Sequence, residues 1–435
     1  MKFRKGVKAP HRKNTAHLRA ERLPLPSVIR MPMSMHIGSP ATAIAAVGDT
    51  VKVGQLIGKA GGFVSSPIHA PVSGVITGIE VISPVTGVRG PYIVIKPDGL
   101  QTPCEDITPP KIDCLEDVLQ AIRDSGVVGL GGAGFPTAVK LTVKHIGSID
   151  HLLINGAECE PYITCDTRTM IDDADLVWDG LRMLKKYIGV ENILVGIENN
   201  KPEAIRVMSE YAAREPIAKI CSMPSMYPQG SEKTLIYRLT GRVVPEGKLT
   251  SDVGCIVINC TTLASIMRYI KTGMPLVSKC ITVDGSAVKT PKNVIVPIGT
   301  PVSEVLNFCG GLHDGVRKIL LGGPMMGNAI PDTSAPVRKS TNAILAFTDD
   351  EAHIPRPTAC INCGRCTTSC PMGLPVNELR RFYEHDQFDL LEKHKVNLCM
   401  ECGCCTFVCP ARKLLTQSMK VAKASLRAHK SADGK

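Results

Sequence analysis

Aromatic residues are scarce in this 435-residue chain: eight Phe, eight Tyr and one Trp make up 4% of it. That leaves no basic surface interleaved with rings on which bases could stack, and no nucleic-acid module accompanies the basic residues, so no nucleic-acid partner is expected. Long apolar runs are also missing. Even Val51 to Val75 is broken by Lys52, Gln55, Lys59 and glycines, so the chain is not expected to cross a bilayer by itself. No signal peptide is apparent, which sets the cysteines in a context where thiols serve metals or chemistry rather than disulfides. Acids are nearly absent at the start. In residues 1–30, Glu21 alone faces Lys2, Arg4, Lys5, Lys8, Arg12, Lys13, Arg19, Arg22 and Arg30. The segment reads as a basic arm, either solvated and partly mobile or docked on an acidic partner or a membrane face.

What is present in quantity is apolar residue (44%), glycine (39) and proline (32). The length and apolar content predict three or four globular domains, and the Gly and Pro usage predicts that turns and close backbone approaches matter more than aromatic cores.

Eight of the eighteen cysteines fall into two copies of one pattern. Cys360, Cys363, Cys366 and Cys370 precede Pro371, and Cys399, Cys402, Cys405 and Cys409 precede Pro410. Each run reads C-x₂-C-x₂-C-x₃-C-P, the cubane-cluster signature of bacterial ferredoxins, in which the fourth thiolate crosses to the neighbouring cluster. Two 4Fe-4S clusters are expected, one on Cys360, Cys363, Cys366 and Cys409, the other on Cys399, Cys402, Cys405 and Cys370. A zinc site would use one pair of C-x₂-C units without the closing prolines. Cys404 falls outside the repeat and is read as a packed side chain, and the nine remaining cysteines show no ligand spacing.

The text between these landmarks predicts a multidomain α/β plus β chain. From residue 31 to 100, short apolar runs broken by glycine and proline argue a small β unit. Its wording, V-G-D-x-V-x-x-G-Q followed by H-A-P-V-S-G-V-I, resembles the barrel-sandwich hybrid of biotinyl and lipoyl carriers, without the lysine that carries the swinging arm. From 111 to 272, helical spacing at Leu115–Ile122 and Leu176–Tyr187 alternates with strand-like Leu152–Ile154 and Ile193–Ile197, an α/β layer pattern. Residues 278–330 resemble a β-grasp module of the soluble-ligand-binding type. Residues 350–420 form the ferredoxin region, predicted to be mainly helical from Leu379, Phe382, Leu390 and Leu391.

Inside the α/β region, Gly129-Leu130-Gly131-Gly132-Ala133-Gly134-Phe135-Pro136-Thr137 is a loop through which amides can approach a phosphate, with a helix predicted from Pro136 and a charge from Lys140. Asn155-Gly156-Ala157-Glu158-Cys159-Glu160-Pro161 follows a predicted strand, Tyr227 to Glu232 lies beyond, and Asn259 with Thr262 ends another. Strand ends are where open α/β sheets bind ligands. Together these segments resemble the FMN- and NADH-binding subunit of respiratory complex I. The resemblance implies FMN or nucleotide contacts at Gly131, Gly132, Gly134, Phe135, Lys140, Asn155, Glu158, Tyr227, Gly230, Asn259 and Thr262, with Glu160 and Glu232 orienting nicotinamide. Leu130 and Ala157 stand where that family has arginine and aspartate.

The whole order is similar to that of the C subunit of Rnf complexes, including N-G-A-E-C-E-P-Y-I-T-C-D and L-G-G-P-M-M-G. The chain ends soon after the clusters, without the Ala/Lys-rich tail some members carry, so no role for such a tail is expected. The resemblance implies an NADH:ferredoxin oxidoreductase subunit with FMN and two 4Fe-4S clusters, with NADH as substrate and membrane-embedded and ferredoxin-like subunits as partners. It would be peripheral at the cytoplasmic face of the cell membrane, in a complex that couples electron transfer to Na⁺ or H⁺ translocation. Three alternatives are a soluble cobalamin reductase of the propanediol-utilisation type, an electron-transfer subunit without a nucleotide site, and a docking scaffold.

Overall fold

The computed structural model describes residues 6–82, 90–142 and 146–432. Strands Ile29–Pro32, Gly90–Pro97, Gly74–Ile82 and Thr50–Val51 pair antiparallel in that order, and Thr42–Ala43, Leu56–Lys59 and Ile68–His69 form a second small sheet. Ile29, Ile57, Ile68, Ile76, Ile93 and Ile95 are fully enclosed. Branched aliphatics thus fill the core of this barrel-sandwich unit, each worth roughly 1.5–3 kcal/mol of burial.

The α/β domain has four parallel strands in the order Lys219–Met223, Asn192–Glu198, His151–Gly156, Cys255–Asn259. Numbered along the chain this is 3-2-1-4, so the order reverses between the first strand and the last. A doubly wound sheet opens a crevice at that reversal, outside the carboxyl ends of the strands. Helices Leu115–Asp124, Ala174–Ile188, Pro202–Arg214 and Cys260–Thr272 cover it. Each carries its apolar residues at helical spacing, as Val177, Trp178, Leu181 and Leu184 do, all of them fully buried. Gly189 and Gly273, both with positive φ, terminate two of these helices.

The β-grasp sheet is larger than residues 278–330. Its strands run Glu21–Arg22, Lys292–Pro297, Ser278–Asp284, Ala343–Thr348, Val316–Leu321 and Asn328–Ala329. Ala343–Thr348 lies in the middle, parallel to Ser278–Asp284 and antiparallel to Val316–Leu321. The module is incomplete without this buried apolar strand. Past it, helices Val376–Glu384, Phe388–Lys393 and Leu415–Ala432 pack Leu379, Leu391, Leu415, Met419 and Leu426 around the cysteine loops. The ferredoxin region therefore continues beyond residue 420. No helix among the described residues is long and apolar enough to cross a membrane.

The basic arm is not free over its described part. Val7 exchanges backbone hydrogen bonds with Tyr227, Thr15 is completely buried, and Glu21–Arg22 pairs in parallel with Val294 and Ile295. The Lys13 ammonium donates to the carbonyls of Glu158, Glu160 and Ile163 at 2.8, 2.8 and 2.6 Å. The charge of Lys13 is thus spent inside the molecule, while Lys8, Arg12, Arg19 and Arg22 remain exposed; Lys2, Arg4 and Lys5 lie outside the described residues. Two buried lysines join modules in the same way. Lys339 donates to Ser66 Oγ, to the Pro67 carbonyl at 2.5 Å and to the Gly126 carbonyl at 2.7 Å, tying the segment that leads into the central β-grasp strand to the barrel unit and the α/β domain. Lys279 reaches the carbonyls of Leu130 and Lys339.

Candidate functional site

The glycine loop lies at the crevice. Gly129 donates to the Phe135 carbonyl and Gly134 to the Gly129 carbonyl, closing a tight loop whose tip, Gly131 to Ala133, is exposed. Gly132 sits at φ +121°, a conformation side chains rarely adopt. Among the described residues, no backbone carbonyl accepts from the amides of Gly131, Gly132 or Ala133. The loop is anchored from the last strand of the sheet. Asn259 caps the helix Cys260–Thr272 by accepting from the Thr262 amide at 3.0 Å, and Thr262 Oγ1 accepts from the Leu130 amide at 2.9 Å. A Cβ on Gly131 would come within 3.0 Å of the Asn259 amide nitrogen. Asn259 and Thr262 therefore shape the loop, Thr262 from the first turn of the helix rather than from the strand end.

Leu130 and Ala157, the two departures from the complex I pattern, are buried packing residues. The helix after the loop runs only Thr137–Leu141, so its positive end contributes less than a full helix would. Lys140 forms an ion pair with Glu232, bringing together two residues expected to serve phosphate and nicotinamide separately. Thr137 Oγ1 is buried with no hydrogen-bond partner, as are Tyr227 Oη and the Gln229 side-chain nitrogen. Buried polar groups in folded proteins are rarely left unpaired. Open amides, a lysine beside the loop and the unpartnered Thr137 hydroxyl are the inventory that a flavin phosphate requires. Gln229 was not singled out in the sequence, because an amide in a turn segment carries no spacing signal.

The second segment departs from its expected roles. Glu158 has φ +44° and turns its carboxylate inward, where it accepts from the Asp166 amide at 2.6 Å and from Thr167. It caps the helix Cys165–Asp172, and burial raises its pKa. A cofactor contact through this carboxylate does not fit that orientation. Glu158, Cys165 and Asp166 offer donor atoms within 4.8 Å of one another, but Asp166 is already engaged by Asn259 and Thr261. Glu160 points elsewhere too: both of its oxygens accept backbone amides of the β-grasp module, from Met325 at 3.0 Å and Met326 at 2.9 Å. Burial pushes its pKa up to about 7 against the pull of those amides. An orienting contact to nicotinamide does not fit a carboxylate held this way. Asn155 spans the crevice, donating to the Gly230 carbonyl at 2.8 Å, and Gly230 donates to Cys159 Sγ.

Cys370, Cys399, Cys402 and Cys405 line one pocket, together with Leu374, Val376 and Met419. A shared cavity faced by four thiols suits a four-iron cluster, including the crossing of Cys370 from the other run. Cys366 and Cys409 are electrostatic neighbours, while Cys360 and Cys363 are exposed on the surface loop before them. Cys404 is buried in the cavity wall, with Sγ 3.8 Å from the Tyr227 carbonyl. Val7, Tyr227 and Cys404 form one apolar cluster, against which Cys159, Met325 and Cys402 pack. Ser231 Oγ reaches Met400 Sδ at 3.4 Å. The cavity of the second cysteine set thus abuts the wall of the crevice.

Four family models match in chain order: the RnfC barrel sandwich hybrid domain over residues 1–100, the Nuo51 FMN-binding domain over 122–268, the SLBB domain over 280–329 and the 4Fe-4S dicluster domain over 359–414. The C subunit of the sodium-translocating ferredoxin:NAD⁺ oxidoreductase complex of Acetobacterium woodii is 40% identical over 98% of this chain and 97% of its own length. The chain belongs to the C subunit family of Rnf complexes. The C subunit of the ion-translocating oxidoreductase complex of Rhodobacter capsulatus is 41% identical over 85% of this chain and 72% of its own. The proton-translocating counterpart from Clostridium ljungdahlii is 39% identical over 89% and 85%. Among solved structures, NAD⁺-reducing [NiFe]-hydrogenase superposes with a TM-score of 0.46 at 19% identity, over 66% of this chain and 52% of that one. FMN and 4Fe-4S clusters are the cofactors of this Rnf protein, by the domains it carries.

Proposed function

We propose that this chain is the NAD(H)-facing subunit of an ion-translocating ferredoxin:NAD⁺ oxidoreductase, peripheral on the cytoplasmic side of its membrane complex, with FMN and two 4Fe-4S clusters. The observation that carries the reading is the shared wall: Tyr227, Cys159 and Ser231 border the flavin crevice and touch the loop of Cys402 and Cys404. FMN supplies the exchange between electron pairs and single electrons; the protein supplies position and electrostatics. Gly131, Gly132, Gly134 and Thr137 cradle the phosphate, helped by Lys140, whose charge Glu232 holds in place until an anion competes for it. Phe135, Asn155, Tyr227 and Gly230 shape the pocket walls. Cys370, Cys399, Cys402 and Cys405 hold the cluster beside the crevice. Cys360, Cys363, Cys366 and Cys409 hold the outer one, where exposure suits exchange with another protein of the complex. Glu232, exposed at the start of its helix, remains the candidate for contact with nicotinamide. The near full-length relatives of both sodium- and proton-translocating type favour this reading over a cobalamin reductase and leave the coupling ion open.

The test is anaerobic stopped-flow bleaching of the flavin band by NADH, with dithionite as control and the other proteins of the complex present. Rapid bleaching by NADH is expected. Protein reduced by dithionite yet inert to NADH would leave an electron-transfer subunit without a nucleotide site.

A further inference from the structure

Glu160 stands in a segment that resembles a nicotinamide wall, yet its carboxylate is committed to a different module. Its two oxygens take the consecutive amides of Met325 and Met326, a pair of hydrogen bonds to one carboxyl group. The turn it grips is closed by Gly327 donating to the Gly323 carbonyl at 2.7 Å and is rooted in the β-grasp sheet by Gly322 donating to Ala343. The grip leaves no room for a side chain on Gly323, because a Cβ would lie 2.2 Å from the Glu160 carboxylate. On its far side the turn meets the cysteine loop. The Met325 carbonyl lies 2.9 Å from where a Cβ on Gly403 would stand, and the Met325 side chain packs with Cys402, Cys404 and Tyr227. Behind Glu160, its own carbonyl accepts from Lys13.

We propose that Glu160 is a positioning residue for the inner cluster, gripping the Gly322–Gly327 turn so that Met325 seats the Cys402–Cys405 loop against the flavin crevice. This assigns the β-grasp module a job: it is the wedge that fixes the inner cluster relative to the flavin domain. The inference rests on the reading above that Cys370, Cys399, Cys402 and Cys405 hold a cluster. Removing the grip frees the turn and loosens the environment of that cluster first, while Cys360 and Cys363 of the outer set sit exposed on a separate loop. A glutamine cannot replace the carboxylate, because its NH₂ would face one of the two amide donors.

The experiment is EPR-monitored redox titration of the anaerobically purified chain with dithionite, on wild type, Glu160→Gln and Met325→Ala. The second variant keeps the backbone grip and trims only the packing on the cysteine loop, so it tests the same seat without touching the carboxylate. The expected result is full iron content with a shifted midpoint and broadened signal for the inner cluster in both variants, and an unchanged signal for the outer one. An inner signal identical to wild type in both variants would overturn the proposal. So would slowed flavin bleaching by NADH in Glu160→Gln with the inner signal intact, which would return Glu160 to the nicotinamide wall. Cys402→Ala separates the two levels. If it leaves both cluster signals intact, the ligand assignment fails, and the proposal with it.

Discussion

Replacing Lys339 with methionine tests the clip that joins three modules, and its outcome depends on pH in a direction the structure fixes. Lys339 is 1% exposed, and burial pulls its pKa down to about 7. The charged form is the one penalised, so below pH 7, where the lysine is protonated in both folded and unfolded chains, the penalty is complete. As pH rises from 7 towards the unfolded value of 10.5, the folded chain has already released its proton and stability climbs by ~1.4 kcal/mol per pH unit. By pH 9.5 this amounts to ~3 kcal/mol. Methionine removes that slope and also leaves the Pro67 carbonyl with only a long 3.5 Å contact from Ser66 Oγ, at a cost of ~1–3 kcal/mol; Gly126 still accepts from Ser66 Oγ at 3.1 Å. The variant should therefore lie closest to wild type near pH 7 and fall behind by a further ~3 kcal/mol at pH 9.5. His36 and His69 both face Lys339, and burial lowers the pKa of each. Their titration thus stays below the window. Urea unfolding followed by the fluorescence of Trp178, the single tryptophan, suits the measurement because its core is continuous with that of the barrel unit. Stability curves of variant and wild type that run parallel from pH 7 to 9.5 would refute the reasoning.

Cys363→Ala and Cys402→Ala should each remove one cluster, read by iron analysis and EPR; both clusters surviving in both variants would sink the ligand assignment. Lys140→Ala should weaken FMN binding by ~1.5–3 kcal/mol in isothermal titration of the apoprotein, the range for a charge-assisted hydrogen bond. Thr137→Val should leave the stability of the apoprotein no lower than wild type, because Oγ1 has no partner to lose and valine removes an unpaired buried hydroxyl, and should cost ~1 kcal/mol of FMN affinity. Equal affinity would place the phosphate away from Thr137. Gly132→Ala should cost at least ~1 kcal/mol, read in thermal melts, because φ +121° is strained for any side chain.

The elements legible in the sequence are those whose signal is local. The helix spacing of Leu176 to Tyr187 and the apolar run at Leu152–Ile154 appear as Ala174–Ile188 and His151–Gly156. The two cysteine runs carried their own spacing. What the sequence concealed is long-range. Ala343–Thr348 completes the β-grasp sheet from beyond the recognisable module. Lys13 meets its three carbonyls some 150 residues away, and nothing in a run of basic residues marks which one will be drawn inside.

The glutamates make the same point about function. Glu158 and Glu160 are two residues apart in a segment that reads as a ligand wall, but a positive φ at Glu158 turns one carboxylate onto a helix N-terminus while the other crosses 165 residues of sequence to Met325. A motif reports which side chains are available near a strand end; it cannot report which are already used by the modules that close over it. In this chain the barrel unit, the β-grasp sheet and the ferredoxin loops all press on the crevice. Candidate residues there sort by whether their polar atoms are spent. Thr137, Tyr227 and Gln229 retain unpartnered atoms, and the glutamates do not. The free atoms are where ligand recognition should be sought, and the spent ones hold the frame between flavin and cluster.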